Sequence, residues 1–250
     1  MVNKIYKCAL ITGAANGIGY SILKRLVSAN IEVTAVDKDE KQLKKISKEF
    51  NINTIKLDLT NTKLLYKKLS SVKTDILINN AGIGRGVGGL LNSSPNDIEI
   101  SSRINVEAHL HVIKAIVPGM VKRRKGHVVL MGSLAGLYPV DSAIYGGQKG
   151  AVHRIAQSLR VELSGTRVKV TEICPGRTNT GFAKAAFDNK KVAKKFMSGF
   201  TLLDAEDISE SIMFALNTRW RSNISLIEIS GTEQSAGGVP VYPVPDPIFD

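Results

Sequence analysis

The chain holds no run of eighteen apolar residues, so no stretch of it reads as a membrane-spanning helix. Its start, MVNKIYKCALITG, leads directly into an apolar segment and a glycine turn, without a signal-peptide cleavage pattern. Cysteine is scarce: Cys8 and Cys174 both lie in apolar runs, and neither has metal-ligand spacing. They read as buried thiols in a reducing, cytoplasmic compartment. The four histidines, His109, His111, His127 and His153, have no partners at metal spacing either, so they are read as structural and no metal is expected. Aromatics make up only 6% of the chain and do not interleave with the lysines. The formal charge of +12 therefore reads as a solvated surface, with lysines spread over faces such as 41–48 and 190–195, rather than as a nucleic-acid site.

What is present fits one α/β domain spanning residues 1–250, since 250 residues with 43% hydrophobic content can bury a full core. Cys8 to Thr12 reads as a buried strand. Gly13, Ala14, Ala15, Asn16, Gly17, Ile18 and Gly19 follow, then a helix to about Ala29. Strand, glycine turn and helix start together aim backbone N–H groups at a phosphate. A second glycine triplet, Gly84-x-Gly86-x-x-Gly89, is rejected as a dinucleotide site because no helix opens there, and it is read as a flexible loop. The next strand, Ile31 to Val36, ends in Asp37, where a carboxylate suits the ribose hydroxyls of NAD and repels the 2′-phosphate of NADP. Lys38 beside it argues the other way, and a turn or helix cap is the bland role for Asp37.

Further strands are expected at Thr54 to Leu57, Asp75 to Ile78, Val128 to Met131, Val168 to Cys174 and Ile224 to Ile229. Helices are expected at 41–50, 63–69, from Ser94-Pro95 through Asn105 towards Lys122, from Tyr145 to about Leu163, and at 207–216. Alternation of this kind gives right-handed βαβ units and a parallel sheet covered on both faces. Ligands then sit beyond the strands' carboxyl ends, where Gly13, Asp37, Asp58, Asn80 and Ser133 all fall.

Tyr145 and Lys149 stand one turn apart on a helix, and Ser133 arrives from a strand end. A free phenol has a pKa of about 10. A cation about 4 Å away is worth roughly 4 kcal/mol at an effective dielectric near 20, about three pKa units, which predicts a phenol brought near neutrality for acid/base work. The same spacing occurs at Tyr20 and Lys24, read as an ordinary helix face.

Thr12-Gly13-x-x-x-Gly17-x-Gly19, Asn79-Asn80-Ala81-Gly82, Asn105, Ser133, Tyr145-x-x-x-Lys149 and Pro175-Gly176 occur in this order over nearly the whole chain. In this the sequence resembles the classical short-chain dehydrogenase/reductase family. The resemblance implies a single Rossmann-like, doubly wound sandwich around a mostly seven-stranded parallel sheet. It implies an NAD(H)-dependent enzyme, NADP being the alternative, that interconverts an alcohol and its ketone or aldehyde. Tyr145 is then the acid/base. Lys149 lowers its pKa and binds the nicotinamide ribose, Ser133 orients the substrate, and Asn105 holds a water behind Lys149. Gly13, Asn16, Gly17, Ile18, Gly19 and Asp37 line the cofactor, with Asp58 and Leu59 at the adenine. Asn80, Ala81 and Gly82 follow, Asn80 bracing the central strands. Beyond Pro175 and Gly176, the Thr178 backbone and Thr180 hydroxyl take the carboxamide. Thr178 departs from the family's aliphatic residue, and Gly146 and Gly147 are smaller than usual, which suggests a wider site.

By position, residues 181–203 resemble the family's substrate lid, a plain amphipathic surface helix being the other reading. The proline-rich tail, 237–250, reads as extended, either across a neighbouring subunit or loose. Family habit implies a homotetramer or homodimer. Arg85, Arg103, Arg177 and Lys184 allow an anionic small-molecule substrate, a hydroxy acid or sulfonated alcohol, or are stray surface cations. The chain also resembles the family's 3-hydroxy-acid and serine-type dehydrogenases. The alternative of another class is a non-catalytic NAD-binding regulatory protein on the same fold.

Overall fold

Period-two patterning puts successive strand side chains on opposite faces, and in this chain both faces are covered. The computed structural model describes residues 5–187 and 189–234. In chain order its elements are β1 (Cys8–Thr12), α1 (Gly17–Ser28), β2 (Glu32–Asp37), α2 (Glu40–Phe50), β3 (Asn53–Lys56), α3 (Thr62–Leu69) and β4 (Ile76–Asn79). Then come α4 (Pro95–Ser102), α5 (Ala108–Arg123), β5 (Gly126–Met131), α6 (Leu134–Leu137), α7 (Ala143–Glu162) and β6 (Val168–Pro175). The last are β7 (Thr178–Asn179), α8 (Phe182–Ala186), α9 (Lys190–Phe196), β8 (Leu203–Asp204), α10 (Ala205–Leu216) and β9 (Leu226–Ile229).

Seven strands pair in the order β3-β2-β1-β4-β5-β6-β9, all parallel. The chain winds outward from β1 to β3, then returns to lay β4 on the other side of β1. That reversal opens a crevice beyond the ends of β1 and β4. Ala9 and Ile11 of β1 pack with Ile22 and Leu26 of α1, Leu43 of α2 and Ile212 of α10. Leu10, between them, packs into the opposite layer with Leu65 of α3, Ile116 of α5 and Val152 of α7. The seven-stranded doubly wound sandwich matches the expectation from sequence, and most boundaries fall within a residue or two of it.

The ends of the helices are set locally. Ser94 and Asp97 form a reciprocal capping box with Pro95 at the first helical position. Lys122 and Arg123 occupy the last turn of α5, where cations suit the helix dipole.

The helix from Pro95 runs through Asn105 towards Lys122 as expected, with a π-turn over Arg103–Glu107 joining α4 to α5 and the Ala108 N–H reaching back to the Arg103 carbonyl. No α-helix opens at residues 84–89, as expected, and Gly84 lies against Phe182 and Ala186 and Gly86 against Ile144. Two expectations are corrected. Cys8 is half-buried, whereas Cys174 is enclosed as expected. Gly147 does not widen the site: it is exposed, and a Cβ there would meet nothing within 4 Å, while Gly146 faces Val140 and the Ala135 carbonyl. Glycine inside a helix costs about 0.5–1 kcal/mol relative to alanine. Gly147→Ala should therefore raise stability by about that amount, read as a higher Tm in thermal melts. Short α6 and the β7/β8 ribbon were not expected from the sequence, and the 237–250 tail lies outside the described residues.

Candidate active site

The turn after β1 is shaped for a phosphate. Gly13 and Gly17 take positive φ, +64° and +55°, a region closed to most side chains. Asn16 caps α1 without a side-chain hydrogen bond, and the first turn of α1 holds no acid, so its N–H groups are left for an anion. Gly19 lies against the Gly13 carbonyl and the Asn80 amide with no room for a Cβ. Asn80 donates through Nδ2 to the Thr12 and Gly13 carbonyls at 3.0 and 3.1 Å, the bracing role expected for it. The Thr12 hydroxyl, which sequence reasoning did not single out, accepts the N–H groups of Asn80 and Ala81 at 3.0 and 3.1 Å. Thr180 closes over the turn from the far side, its methyl 3.3 Å from where a Gly17 Cβ would stand.

Asp37, at the end of β2, takes the Ala15 N–H on Oδ2 and the Asp39 N–H on Oδ1, each at 3.0 Å. It thus ties the glycine turn to the second strand. Asp58 is exposed and Leu59 buried, both beyond the end of β3. Burial works to raise the Asp58 carboxyl, but the Thr60 N–H and hydroxyl, with Lys38 and Arg103 farther off, hold it below its ordinary value. Pro175 ends β6, and the Gly176 N–H bonds the Ile229 carbonyl at 2.7 Å. The Thr178 hydroxyl donates to the Gly176 carbonyl at 3.1 Å, and the Thr180 hydroxyl takes the Phe182 N–H at 3.3 Å. Glycine turn, Asp37, Asn80, Ala81, Gly82 and the 175–180 loop all lie at the carboxyl ends of the strands, the edge at which such sheets take their ligands.

The acid/base group stands at the adjoining strand end. Ser133 follows β5 and caps α6 through its hydroxyl. Tyr145 lies in the first turn of α7, close enough to Ser133 for that hydroxyl to favour the phenolate. Lys149 is enclosed, 4% exposed, and donates to the Met131 carbonyl at 2.8 Å. Its ammonium is 5.9 Å from the centre of the Tyr145 ring. Burial pushes the phenol up to about 12, Ser133 pulling against that and Cys174 adding to it. Burial also draws Lys149 down to about 8, opposed by Cys174 and Glu172. The expectation of a phenol near neutrality is thus overturned for the chain by itself. The ammonium is spent on a carbonyl and does not offset the loss of water around the hydroxyl.

Asn105 sits inside the π-turn, fully buried. Its Oδ1 takes the Ile83 N–H at 2.9 Å, and its Nδ2 donates to the Ile83 carbonyl and to Gln148 Oε1 at 2.9 and 2.8 Å. Both Nδ2 hydrogens are committed to protein, Oδ1 keeps a second lone pair, and the side chain fixes the 82–83 loop beside Lys149. Gln148, within the Tyr-x-x-x-Lys run, was missed by sequence reasoning because nothing local shows which helix face a loop will claim.

Phe182 of α8 packs on Tyr145, ring centres 5.6 Å apart. Phe187 and Phe196 pack at 5.3 Å. Among the four cations considered, Arg85 faces Asp97 at 3.9 Å, Arg103 faces Glu99 at 3.7 Å, and Lys184 is exposed. Arg177 lies 4.5 and 5.3 Å from the ring centres of Phe196 and Phe200, donating to the Phe196 carbonyl at 3.3 Å.

Against known proteins, the short chain dehydrogenase family model matches residues 7–191. The chain is 31% identical over 244 residues to an NADP-dependent 3-hydroxy acid dehydrogenase of Escherichia coli, covering 93% of this chain and 98% of that one. An uncharacterized short-chain type dehydrogenase/reductase of Sinorhizobium fredii is 31% identical over 234 residues, covering 93% and 94%. Among solved structures, the closed form of a serine dehydrogenase complexed with NADP+ superposes with a TM-score of 0.88 at 31% identity, covering 94% of this chain and 99% of that one. A short chain dehydrogenase/reductase of Burkholderia phymatum in complex with NAD gives 0.78 at 26% identity, covering 88% of each.

Proposed function

The chain belongs to the short chain dehydrogenase family and is an oxidoreductase of that fold, and we propose that it interconverts an alcohol and its carbonyl compound with Tyr145 as the proton-exchanging group. The observation that carries this is convergence: phenol, enclosed ammonium and strand-end hydroxyl stand together at the sheet edge that also carries the glycine turn. A bound nicotinamide ring supplies the hydride to the carbonyl carbon, or accepts it in the reverse direction. In reduction, Tyr145 gives its proton to the carbonyl oxygen as the new C–H bond forms, while Ser133 holds that oxygen and excludes other poses. Lys149 stabilises the phenolate left behind, a charge that develops only during reaction. The non-catalytic reading has no observation in its favour, since Tyr145, Lys149 and Ser133 are all in place.

For the substrate, we favour an anionic hydroxy acid. Arg177, half-buried beneath the aromatic lid, supplies a desolvated guanidinium suited to a carboxylate. The names of the hydroxy acid and serine dehydrogenase relatives agree in chemical class. Exposed Leu110 of α5 and Val161 of α7 are apolar positions that subunit contact through the two long helices would cover. A spectrophotometric screen of hydroxy acids, neutral alcohols and their carbonyl partners with NAD(H) and NADP(H) tests the reading. Turnover with none of them overturns it.

The hydroxy acid dehydrogenase relative is NADP-dependent and the serine dehydrogenase structure holds NADP+, while the Burkholderia phymatum structure holds NAD; Asp37 supports NAD here, since its carboxylate stands at the strand end where a 2′-phosphate would lie. Asp37→Asn keeps an acceptor for the Ala15 N–H and removes the charge. It should raise the ratio of kcat/KM for NADP to that for NAD by about tenfold or more, the effect of removing a like-charge contact of roughly 1–3 kcal/mol. An unchanged ratio in steady-state assays would deny Asp37 the discriminating role.

A further inference from the structure

Helix α7 carries Tyr145, Lys149, His153 and Gln157 at four-residue intervals, one polar row along its length. Past Lys149 this row meets Glu172 of β6, whose side chain is fully enclosed. His153 Nδ1 lies 2.7 Å from Glu172 Oε2, and Gln157 Nε2 lies 2.9 Å from His153 Nε2. The Cys174 thiol donates to Glu172 Oε1 at 3.3 Å. An enclosed carboxylate carries a desolvation penalty that a leucine at the same place would not, and the mechanism above makes no use of it.

Its position explains what it does. A Cβ on Gly132 would overlap Glu172 Oε1 and stand 2.7 Å from Cys174 Sγ, so the acid and the thiol lie directly against that residue. Gly132 separates Met131, whose carbonyl takes the Lys149 ammonium, from Ser133. The acid thus sits immediately behind the anchor of the catalytic lysine.

We propose that Glu172, held by His153, is a positioning residue for the reaction: its negative charge keeps the enclosed Lys149 ammonium charged at working pH. This rests on the oxidoreductase reading above. The groups facing Lys149 are Tyr145 on its own helix, His109 from α5, and Cys174 and Glu172 from β6. Those facing Glu172 are Lys149, His153 and Arg160 from α7 and Cys174 from its own strand. Burial holds His109 down to about 4, so that ring is neutral at pH 7. Burial, Glu172 and the bond to Glu172 push the Cys174 thiol well above its ordinary value, so it is neutral too. Tyr145 is protonated at pH 7. Among these neighbours Glu172 is the carboxylate, and it opposes the desolvation of Lys149. An opposite charge favours the charged amine, so removing it moves the lysine's titration to lower pH.

The test is the Nζ titration of Lys149 in 15N-lysine-labelled protein, followed by NMR without ligand, beside the pH dependence of NADH affinity. Glu172→Gln should move the Lys149 midpoint down by about one pH unit and carry the alkaline fall in NADH affinity with it. Glu172→Asp, which keeps the charge, should hold the midpoint nearer the parent value. If the glutamine variant does not fold, His153→Leu carries the test at a partly exposed position. Freed of that contact, the carboxylate no longer holds its place against Gly132, so the Lys149 midpoint should move from the parent value, and an unmoved midpoint overturns the proposal. A merely structural role weakens NADH binding evenly across pH and leaves the Lys149 midpoint unmoved, which overturns the proposal. The titration needs no cofactor or substrate, so a chain inert with every nicotinamide substrate would refute the oxidoreductase reading while the Lys149 midpoint still judged Glu172.

Discussion

Tyr145→Phe should lower kcat for carbonyl reduction by about 10³-fold, within the span expected for loss of a positioned general acid, while NADH binding and the melting temperature stay near the parent values. The substitution removes one oxygen and leaves the ring, so the packing against Phe182 at 5.6 Å survives. The change is felt at Ser133, whose hydroxyl acts on that oxygen. Direction matters as well. Burial holds the phenol up at about 12, so the acid form is at hand at neutral pH, and reduction starts from a loaded proton donor. Oxidation needs the phenolate and should accelerate as pH rises. Reduction should weaken as pH climbs through about 8, where Lys149 sheds the charge that stabilises the phenolate. Single-turnover rates in both directions, with fluorescence titration of NADH, check this. A phenylalanine variant that reduces carbonyls at the parent rate would remove Tyr145 from the chemistry.

The two Tyr-x-x-x-Lys runs show why the sequence carries some of this site and not the rest. Both place a lysine ammonium near the tyrosine ring, at 5.3 Å for Lys24 over Tyr20 and 5.9 Å for Lys149 over Tyr145. Helix geometry alone produces that contact. What separates them is tertiary. Tyr20 bonds Glu49 at the surface and Lys24 pairs with Glu206, whereas Tyr145 meets Ser133 from another strand, under Phe182. The glycine turn and Asp37 were legible because backbone constraint and strand-end placement are local facts. The π-turn at Asn105, the lid's contact with Tyr145 and the Glu172–His153 pair depend on which distant loop or strand arrives, and no spacing rule encodes that. The phenol's raised pKa was not legible for the same reason: a distance to a cation can be inferred from spacing, but the burial that outweighs it belongs to the assembled fold.

Gly19→Ala should destabilise the chain by about 3 kcal/mol, the upper part of the overpacking range, and weaken NADH binding by a hundredfold or more. The added methyl would overlap the Gly13 carbonyl and stand 2.8 Å from Asn80 Nδ2. Neither neighbour can yield alone. The Gly13 carbonyl is held by Asn80 at 3.1 Å, the same amide holds the Thr12 carbonyl at 3.0 Å, and Gly13 already occupies positive φ. Relief therefore has to come from α1 moving away from the turn, and that displaces the N–H groups on which a phosphate would rest. Gly147→Ala is the matched control: the same methyl, placed where it meets nothing, should stabilise instead. Denaturant melts and NADH titrations on both variants separate the two claims. A Gly19→Ala protein that unfolds early yet binds NADH normally would show a crowded turn that is not the cofactor cradle. Normal stability and normal binding together would mean that α1 does not press on β1's turn as drawn, and the dinucleotide crevice would lose its foundation.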